Sequence, residues 1–378
     1  MNPVSLDNEL PVLSHWIAGA EALSSGDRTA PVFDPARGIE TKRVALANAS
    51  DIESAISSAH KAFPAWRDMS ITKRQQILFR FRELLNERKG ELAQIITAEH
   101  GKVVSDALGE ITRGQEVVEL ATGFPHLIKG EHSENVSTGV DVYSTKSPLG
   151  VVGIISPFNF PAMVPLWFLP IAIAAGNTVV LKPSEKDPTA ANWLAELFTE
   201  AGLPDGVFNV LHGDKEAVDG LLEHKDVKAI SFVGSTPIAQ YIYETAARNG
   251  KRVQALGGAK NHMLVLPDAD LELTADAAIN AGFGSAGERC MAISVIVAVE
   301  PVADELIEKI KALVRGKENS EITISISDQA SKGILREETR EEYFQRLEKA
   351  VENFEKSNVV TFSGDSFELF SKHLAERE

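Results

Sequence analysis

Short apolar runs rich in β-branched residues alternate with amphipathic stretches through the middle of the chain. The runs predict strands at 151–156, 178–182, 207–211, 229–233 and 252–256. Stretches with helical periodicity separate several of them, at 188–201, 215–223 and 237–248. Strands that are apolar throughout and alternate with helices are typical of βαβ units, in which helices cover both faces of a parallel sheet. The pattern therefore predicts an α/β fold.

The N-terminal part is predicted to be mainly helical after a turn-rich start. Residues 1–48 carry Gly and Pro at short intervals, which is typical of short extended pieces joined by turns. Ser50 and Glu53 are predicted to form a capping box, and Pro64 is predicted to end the helix that they begin. Gly101 is a predicted helix stop. Two longer helices are predicted at about 72–99 and 107–124.

Three further segments complete the pattern. Alternating residues around a turn at 136–146 predict a two-stranded hairpin. Another strand–helix–strand–helix series is predicted at 263–270, 271–282, 291–300 and 303–315. Beyond residue 317 the sequence predicts a short Ile/Ser strand at 322–326 and an acidic amphipathic helix at about 336–356, and neither segment shows recognisable chemistry.

Composition and charge narrow the class of protein. The 378 residues suggest two or three domains, and 38 Lys+Arg against 54 Asp+Glu give a net charge of −16. This acidic balance argues against binding to nucleic acid, which needs a clustered basic face. The most apolar run, 162–175, is interrupted by prolines and is shorter than the roughly 20 residues of a membrane span. Cys290 is the only cysteine, which is typical of the reducing cytosol, and a cytoplasmic protein is expected.

Cys290 is also the first candidate for chemistry. It follows a flexible Gly/Ser loop and stands directly after Arg289, and a neighbouring cation favours the nucleophilic thiolate. A lone cysteine is more often a small buried apolar residue, so both interpretations stay open.

Three segments at the ends of predicted strands offer polar groups. The segment 156–161 follows the first strand of the series, and Asn159 within it is either a donor to an oxyanion or a turn former. Lys182 and Glu185 follow the next strand, where a cation and a carboxylate could bind a nucleotide. Ser235 lies between a strand and a helix, whose first amides suit a pyrophosphate.

Five short motifs are spread over residues 150–290: PFNFP, LKPSE, FVGS, LGG and F-x-x-x-G-E-R-C. Together they resemble the aldehyde dehydrogenase superfamily. Within it, GAKNH at 258–262 and the pair Arg113 and Arg289 resemble the CoA-acylating methylmalonate-semialdehyde dehydrogenases. The resemblance covers about residues 10–315 and stops near Gly316, although the family pattern continues, so a truncated or altered C-terminal part is expected.

The resemblance implies a role for each matching position. Cys290 would be the nucleophile and Asn159 the oxyanion donor. Arg113 and Arg289 would hold a substrate carboxylate, for which the forked guanidinium is well suited; the alternative is that each forms an ordinary salt bridge. No metal is implied. The positions implied to contact NAD are Ser156, Phe158, Lys182, Glu185, Lys186, Ser235 and Gly257.

The resemblance also implies the architecture: an aldehyde dehydrogenase-like fold with a Rossmann-like, parallel-sheet NAD domain and an incomplete α/β catalytic domain. The implied boundaries are 1–135 and 149–258 for the NAD-binding domain, 136–148 for an oligomerisation hairpin, 259–316 for the partial catalytic domain and 317–378 for an unassigned tail. The resemblance implies homotetramers, which family members form. It also implies a small semialdehyde as the substrate.

The implied reaction is the NAD-dependent oxidation of methylmalonate or malonate semialdehyde. A thioester on Cys290 would pass its acyl group to coenzyme A, giving propionyl-CoA or acetyl-CoA with loss of CO2. Hydrolytic relatives place a glutamate before L-G-G as the base for water, whereas this chain has Ala255 there. Two alternatives stay open: a hydrolytic aldehyde dehydrogenase, and a catalytically impaired remnant that binds nucleotide or a protein partner.

Overall fold

The computed structural model describes residues 10–315, which fall into two compact units, one as far as Gly258 and the other from Ala259 onward. The strands of the first unit are β1 (Val12–Leu13), β2 (His15–Ile17), β3 (Ala20–Ala22), β4 (Thr29–Asp34), β5 (Ile39–Ala45), β6 (His132–Ser137), β7 (Val140–Tyr143), β8 (Val151–Ile155), β9 (Thr178–Lys182), β10 (Phe208–Val210), β11 (Val227–Val233) and β12 (Arg252–Leu256). Its helices are α1 (Ala49–Asp68), α2 (Ile71–His100), α3 (Val104–Thr122), α4 (Phe124–Leu127), α5 (Met163–Ala174), α6 (Thr189–Glu200), α7 (Lys215–Glu223) and α8 (Thr236–Arg248).

A seven-stranded sheet with the order β12-β11-β8-β9-β10-β2-β3 forms the centre of the first unit. Strands β8 to β12 are parallel to one another, and β2 and β3 extend one edge in the antiparallel sense. Strands β1, β5 and β4 form a separate three-stranded sheet. The predicted parallel α/β fold is confirmed, and β9 and β12 have the predicted bounds.

The central strand β8 shows why its sequence is apolar throughout. Ile154 packs into a cluster with side chains of α2, α3, α5 and α6 on one face of the sheet. Its neighbour Ile155 packs into a second cluster with α1, α7 and α8 on the other face. Successive side chains of a strand point to opposite faces, and both faces are covered here, so every position of β8 is buried.

Helix α1 differs from its prediction at both ends. The N-cap is Asn48 rather than Ser50, and the capping box pairs Asn48 with Asp51 rather than Ser50 with Glu53. Pro64 does not end the helix, which continues to Asp68. The indole of Trp66 explains the extension, because it is fully buried and donates to the Ile173 carbonyl at 3.2 Å, which anchors the last turn to the core.

The other predicted helices of the first unit are present, and α7 has the predicted bounds. Helix α2 ends where predicted, since Gly101 adopts the left-handed conformation, with φ 89°, that commonly terminates helices.

The hairpin β6–β7 begins earlier than predicted. His132 pairs with Tyr143 and Ser137 with Val140, so the first strand starts at 132 rather than 136. The sequence HSENVS of β6 lacks an apolar alternation, which is why the pattern missed its start. Every residue of both strands is exposed. The predicted role of the hairpin in oligomerisation stays a prediction.

The second unit is described as far as residue 315 and contains a small βαβ arrangement. Strands β13 (Asn261–Val265) and β14 (Ile293–Ala298) are parallel, and helix α9 (Leu271–Phe283) connects them before helix α10 (Glu300–Arg315). These elements match the predicted series. Their core includes Val265, Ala275 and Leu306. The strand predicted at 322–326 and the helix predicted at 336–356 lie outside the described residues.

Candidate active site

The direction of the chain through the central sheet defines a crevice at the carboxyl ends of its strands. From β8 the chain moves outward to β9 and β10, and then crosses to β11 and β12 on the other side of β8. Helices therefore leave β8 and β11 in opposite directions at the switch point between them. In open α/β sheets, ligands bind outside the carboxyl ends of the strands at such a point. The predicted cofactor residues lie along this edge.

Lys182 and Glu185 are brought together at the end of β9. Lys182 is the last residue of the strand, and its Nζ lies 3.2 Å from the Glu185 Oε2 atom. The Lys182 side chain is 8% exposed, whereas that of Glu185 is 40% exposed. The largely buried ammonium of Lys182 and the more exposed carboxylate of Glu185 therefore lie side by side, where a polar ligand could bind both.

Ser156 follows β8 and joins this edge through its backbone. Its amide donates to the Lys182 carbonyl at 3.1 Å, which fixes the ends of β8 and β9 side by side. Its Oγ is buried and has no hydrogen-bond partner within residues 10–315. Buried hydroxyls are usually satisfied, so the Ser156 hydroxyl is a group that a ligand could engage.

Phe158 and Lys186 also lie together. The Lys186 Nζ is 4.5 Å from the centre of the Phe158 ring, in the range of a cation–π contact. His100, at the end of α2, stacks on the same ring with a centroid distance of 6.2 Å. Burial, followed by the charge of Lys102, lowers the pKa of His100 to about 4, so this imidazole is neutral at pH 7.

His212 adds a second neutral imidazole near Lys182. Strand β10 ends at Val210, and His212 comes two residues later. The amide of Leu211, just before His212, donates to the carbonyl of Leu181, just before Lys182. Complete burial, followed by the influence of His15 and Lys182, lowers the pKa of His212 well below its ordinary value. His212 is therefore uncharged at neutral pH.

Ser235 and Gly257 come shortly after the ends of β11 and β12, where the Gly234 amide donates to the Leu256 carbonyl at 3.0 Å. Ser235 is the N-cap of α8, and within residues 10–315 its side chain makes no capping hydrogen bond to that helix. The amide of Gly258 donates to the Thr236 Oγ1 atom at 3.1 Å. A Cβ added at Gly257 would lie 3.0 Å from that same oxygen, so glycine permits the close approach of the two strand ends. The first amides of α8 thus lie at the crevice, as the prediction of a pyrophosphate site requires.

Asn159 lies in the loop between β8 and α5, and its backbone is held from another part of the unit. The Nζ of Lys102 donates to the Asn159 carbonyl at 2.7 Å. The same ammonium forms a buried ion pair with Glu110 on α3. Sequence reasoning missed both residues. A signal for Glu110 was present, because it interrupts the buried apolar stripe that includes Ala107 and Ile111.

Cys290 belongs to the second unit and is exposed, not buried as a small apolar residue. The turn before it contains Ser285 and Ala286, both with φ 55°, a strained conformation for residues other than glycine. Asn261 was also missed as a contributor: its Nδ2 donates to the carbonyls of Cys290 and Ala292 at 2.9 and 3.0 Å. These two bonds fix the backbone on either side of Met291.

The two arginines have different surroundings. Arg113 projects from α3, is 69% exposed and pairs with Glu116 at 3.2 Å. Arg289 is half-buried and packs on its own loop, where a Cβ added at Gly284 would lie 2.8 Å from its Cζ atom. Arg113 belongs to the first unit and Arg289 to the second, and their joint role at a substrate carboxylate stays a prediction.

Comparison with known proteins identifies the family. The model of the aldehyde dehydrogenase family matches residues 22–354 of this sequence, well over half of the chain and beyond the point where the quoted motifs end. This chain belongs to the aldehyde dehydrogenase family.

Several members of the family are close in sequence. A malonate-semialdehyde dehydrogenase of Pseudomonas aeruginosa is 54% identical over 307 residues, which are 80% of this chain and 62% of that protein. Malonate-semialdehyde dehydrogenase 3 of Geobacillus kaustophilus is 48% identical over 353 residues, which are 93% of this chain and 72% of that protein. The chain thus spans 62% of the length of the first of these relatives.

Solved structures of the family agree with the fold. One is named as a putative methylmalonate-semialdehyde dehydrogenase from Sinorhizobium meliloti 1021 and was solved in complex with NAD. It is 50% identical, with a TM-score of 0.80, and the match covers 82% of this chain and 63% of that protein. The methylmalonate-semialdehyde dehydrogenase of Oceanimonas doudoroffii is 52% identical with a TM-score of 0.79, covering 81% and 63%. In residues 10–315 of this family member, none of the helices combines the length and apolarity needed to cross a membrane.

Proposed function

We propose that the chain carries the NAD site and the thiol centre of a malonate- or methylmalonate-semialdehyde dehydrogenase that transfers its acyl group to coenzyme A. One observation carries the proposal: Ser156, Lys182 and Ser235 stand at the carboxyl ends of neighbouring parallel strands, around one switch point. The relative from Sinorhizobium meliloti with this fold was solved with NAD, which supports the same cofactor here.

The residues at the crevice fit a dinucleotide. Glu185, with Lys182 beside it, would accept hydrogen bonds from the hydroxyls of the adenosine ribose. The unused hydroxyl of Ser156 and the first amides of α8 after Ser235 would donate to phosphate or ribose oxygens. Gly257 has no side chain, so a dinucleotide could approach its backbone closely. When bound, NAD would supply the hydride acceptor for aldehyde oxidation.

The thiol of Cys290 would act as the nucleophile. Its thiolate attacks the aldehyde carbon, an S–C bond forms, and the carbonyl oxygen becomes an oxyanion that the Asn159 side-chain amide stabilises. Oxidation of this adduct leaves a thioester on Cys290. The sulfur of coenzyme A then attacks the thioester carbon, and Cys290 leaves as the thiolate.

Coenzyme A is the proposed acceptor because of Ala255 on β12. An oriented general base typically contributes about 10²–10⁴-fold, and the alanine provides none at the position where hydrolytic relatives have a glutamate. Arg113 and Arg289 would bind the substrate carboxylate through paired hydrogen bonds. That carboxylate leaves as CO2, and the carbon that loses it takes up a proton.

Turnover and cofactor binding provide the first test. NADH absorbance should rise with malonate semialdehyde, NAD and coenzyme A, and the Cys290→Ser variant should be inactive. Calorimetry should show that Lys182→Ala weakens NAD binding at least tenfold. Lys228→Ala is the matched control, since Lys228 is exposed on β11 near the amino end of the same sheet. NAD binding without turnover would favour the nucleotide-binding alternative.

An ester assay tests the acyl acceptor without NAD. The Cys290 thiolate should attack p-nitrophenyl propionate and release p-nitrophenolate in a burst, leaving a propionyl thioester that intact-mass spectrometry detects. Coenzyme A should then speed the loss of this thioester at least tenfold. Loss that is equally fast with and without coenzyme A would favour the hydrolytic alternative.

A further inference from the structure

A buried ion pair lies beneath the loop that carries Asn159. The Nζ of Lys102, between α2 and α3, is 2.8 Å from the Glu110 Oε2 atom, and the two side chains are 1% and 0% exposed. Burying two charges costs solvation that their attraction recovers only when further hydrogen bonds satisfy both groups. The remaining partners of this pair therefore indicate what it does.

Glu110 uses its second oxygen to hold the start of α5. Its Oε1 accepts from the amides of Ala162 at 2.8 Å and Met163 at 3.1 Å. These are among the amides that a helix leaves without an internal acceptor, and a carboxylate is favourable there because of the helix dipole. Glu110 thereby ties α3 to the residues that end the loop.

Lys102 holds the middle of the same loop. Besides Glu110, its Nζ donates to the carbonyl of Asn159 at 2.7 Å and lies 4.5 Å from the centre of the Phe160 ring. An ammonium has three donors, and Lys102 has two oxygen acceptors and an aromatic ring around it. The backbone of Asn159 is thus bonded to a charge that is itself fixed by α3.

We propose that Lys102 and Glu110 are positioning residues, which hold the Asn159 amide where an oxyanion forms. The inference rests on the role proposed for Asn159. A donor stabilises an oxyanion only when it is already placed at hydrogen-bond distance, and a shift of about 1 Å can cost about 10²-fold in rate. The ion pair restrains the backbone from which this amide projects, without touching the reacting atoms.

Two reactions of Cys290 separate positioning from general damage. Acylation by p-nitrophenyl propionate passes through an oxyanion, whereas alkylation by iodoacetamide is a displacement that forms none. Lys102→Met removes the donor to the Asn159 carbonyl. It should slow acylation 10- to 100-fold and leave the alkylation rate and the affinity for NAD within twofold of wild type. Combining it with Asn159→Ala should be no slower than Asn159→Ala alone.

Lys42→Met is the matched control. Lys42 pairs with Glu99 at the same 2.8 Å, and Glu99 accepts from the Thr189 amide at the start of α6 just as Glu110 does at α5. Within residues 10–315 the further hydrogen bonds of this pair go to Thr189 and not to the Asn159 loop, so acylation should stay within twofold of wild type. In Lys102→Met the Glu110 carboxylate stays buried without its lysine, which can impair folding. The Lys102→Met/Glu110→Gln double variant removes that charge, and its acylation should be slow as well.

Each outcome has a distinct meaning. Acylation at the wild-type rate in both Lys102 variants would overturn the inference, and so would an equal fall in acylation and alkylation, which a purely structural role predicts. If Asn159→Ala itself leaves acylation unchanged, the proposed oxyanion role is wrong, and the positioning role is wrong with it. Slow acylation in Asn159→Ala but not in Lys102→Met would leave the proposed function intact and reject only the positioning role.

Discussion

Replacing Asp51 with asparagine is expected to destabilise the protein in a way that depends on pH. Asp51 lies at the start of α1, and its side chain is 6% exposed. Burial acts to raise the pKa of its carboxyl group, but hydrogen bonds from Ser24, from the Ser25 backbone and side chain and from the Asn48 amide lower that pKa to about 2. The folded state therefore favours the ionised form.

The size of the effect follows from this shift. The fall from the ordinary value of 3.8 to about 2, at 1.36 kcal/mol per pH unit, gives about 2.4 kcal/mol. Because the folded pKa is the lower one, this contribution is present above pH 4 and is lost as pH falls through 2. The Asp51→Asn variant should therefore be less stable by about 2.4 kcal/mol at pH 7 and by about half of that at pH 3.

Urea unfolding followed by tryptophan fluorescence measures the difference. Wild type and Asp51→Asn would be compared at pH 7, 5 and 3. Asp27→Asn is the control, because Asp27 is exposed in the loop after Ser24 and Ser25 and undergoes the same chemical change. A difference between wild type and Asp51→Asn that is equally large at pH 7 and pH 3 would refute the reasoning, because a neutral cap would then account for it.

Three further changes test the packing and the buried charges. Gly114→Ala should destabilise the protein by about 1–3 kcal/mol in urea unfolding, because the new Cβ would lie 2.6 Å from Leu166 Cδ1; a double variant with Leu166→Ala that costs the full sum of the two would contradict this. Asp187→Asn should flatten the pH dependence of the melting temperature. Burial and two nearby glutamates raise the pKa of the Asp187 carboxyl group, so its own contribution to stability is lost as pH rises above about 4. An unchanged pH profile would contradict this. Phe81→Ala should cost about 3–5 kcal/mol, since Phe81 is fully buried and stacks on Phe198 at 3.6 Å, and a cost below 1 kcal/mol would contradict it.

Much of the sheet was predictable because its strands are buried on both faces. Continuous β-branched runs bounded by turns, such as 178–182, admit few other interpretations. Helix α5 gave no such signal. Its sequence is apolar on all sides, because it packs between the sheet and α3, so no helical period was visible and the run was considered only as a membrane span.

The sequence could suggest site residues at strand ends but not contacts between distant parts of the chain. Lys182 was predicted because it ends a strand and Ser235 because it follows one, and parallel strands bring their carboxyl ends to one edge. Their roles stay predictions. Lys102 and Asn159 are 57 residues apart, and only folding shows that they are bonded. Asn261 bonds to a loop 29 residues further on, which the local pattern could not indicate.

The pairing of β2 with β10 sets an order for events during synthesis. The Ala18 amide donates to the Asn209 side chain across 191 residues, and Trp16 pairs with Val210 in the sheet. At about 5–20 residues per second, a ribosome completes β10 roughly 10–40 s after β2. For that interval the first strand of the sheet has no partner strand except its hairpin neighbour β3. The N-terminal end of the chain therefore joins the sheet only after the strands in its middle have been made.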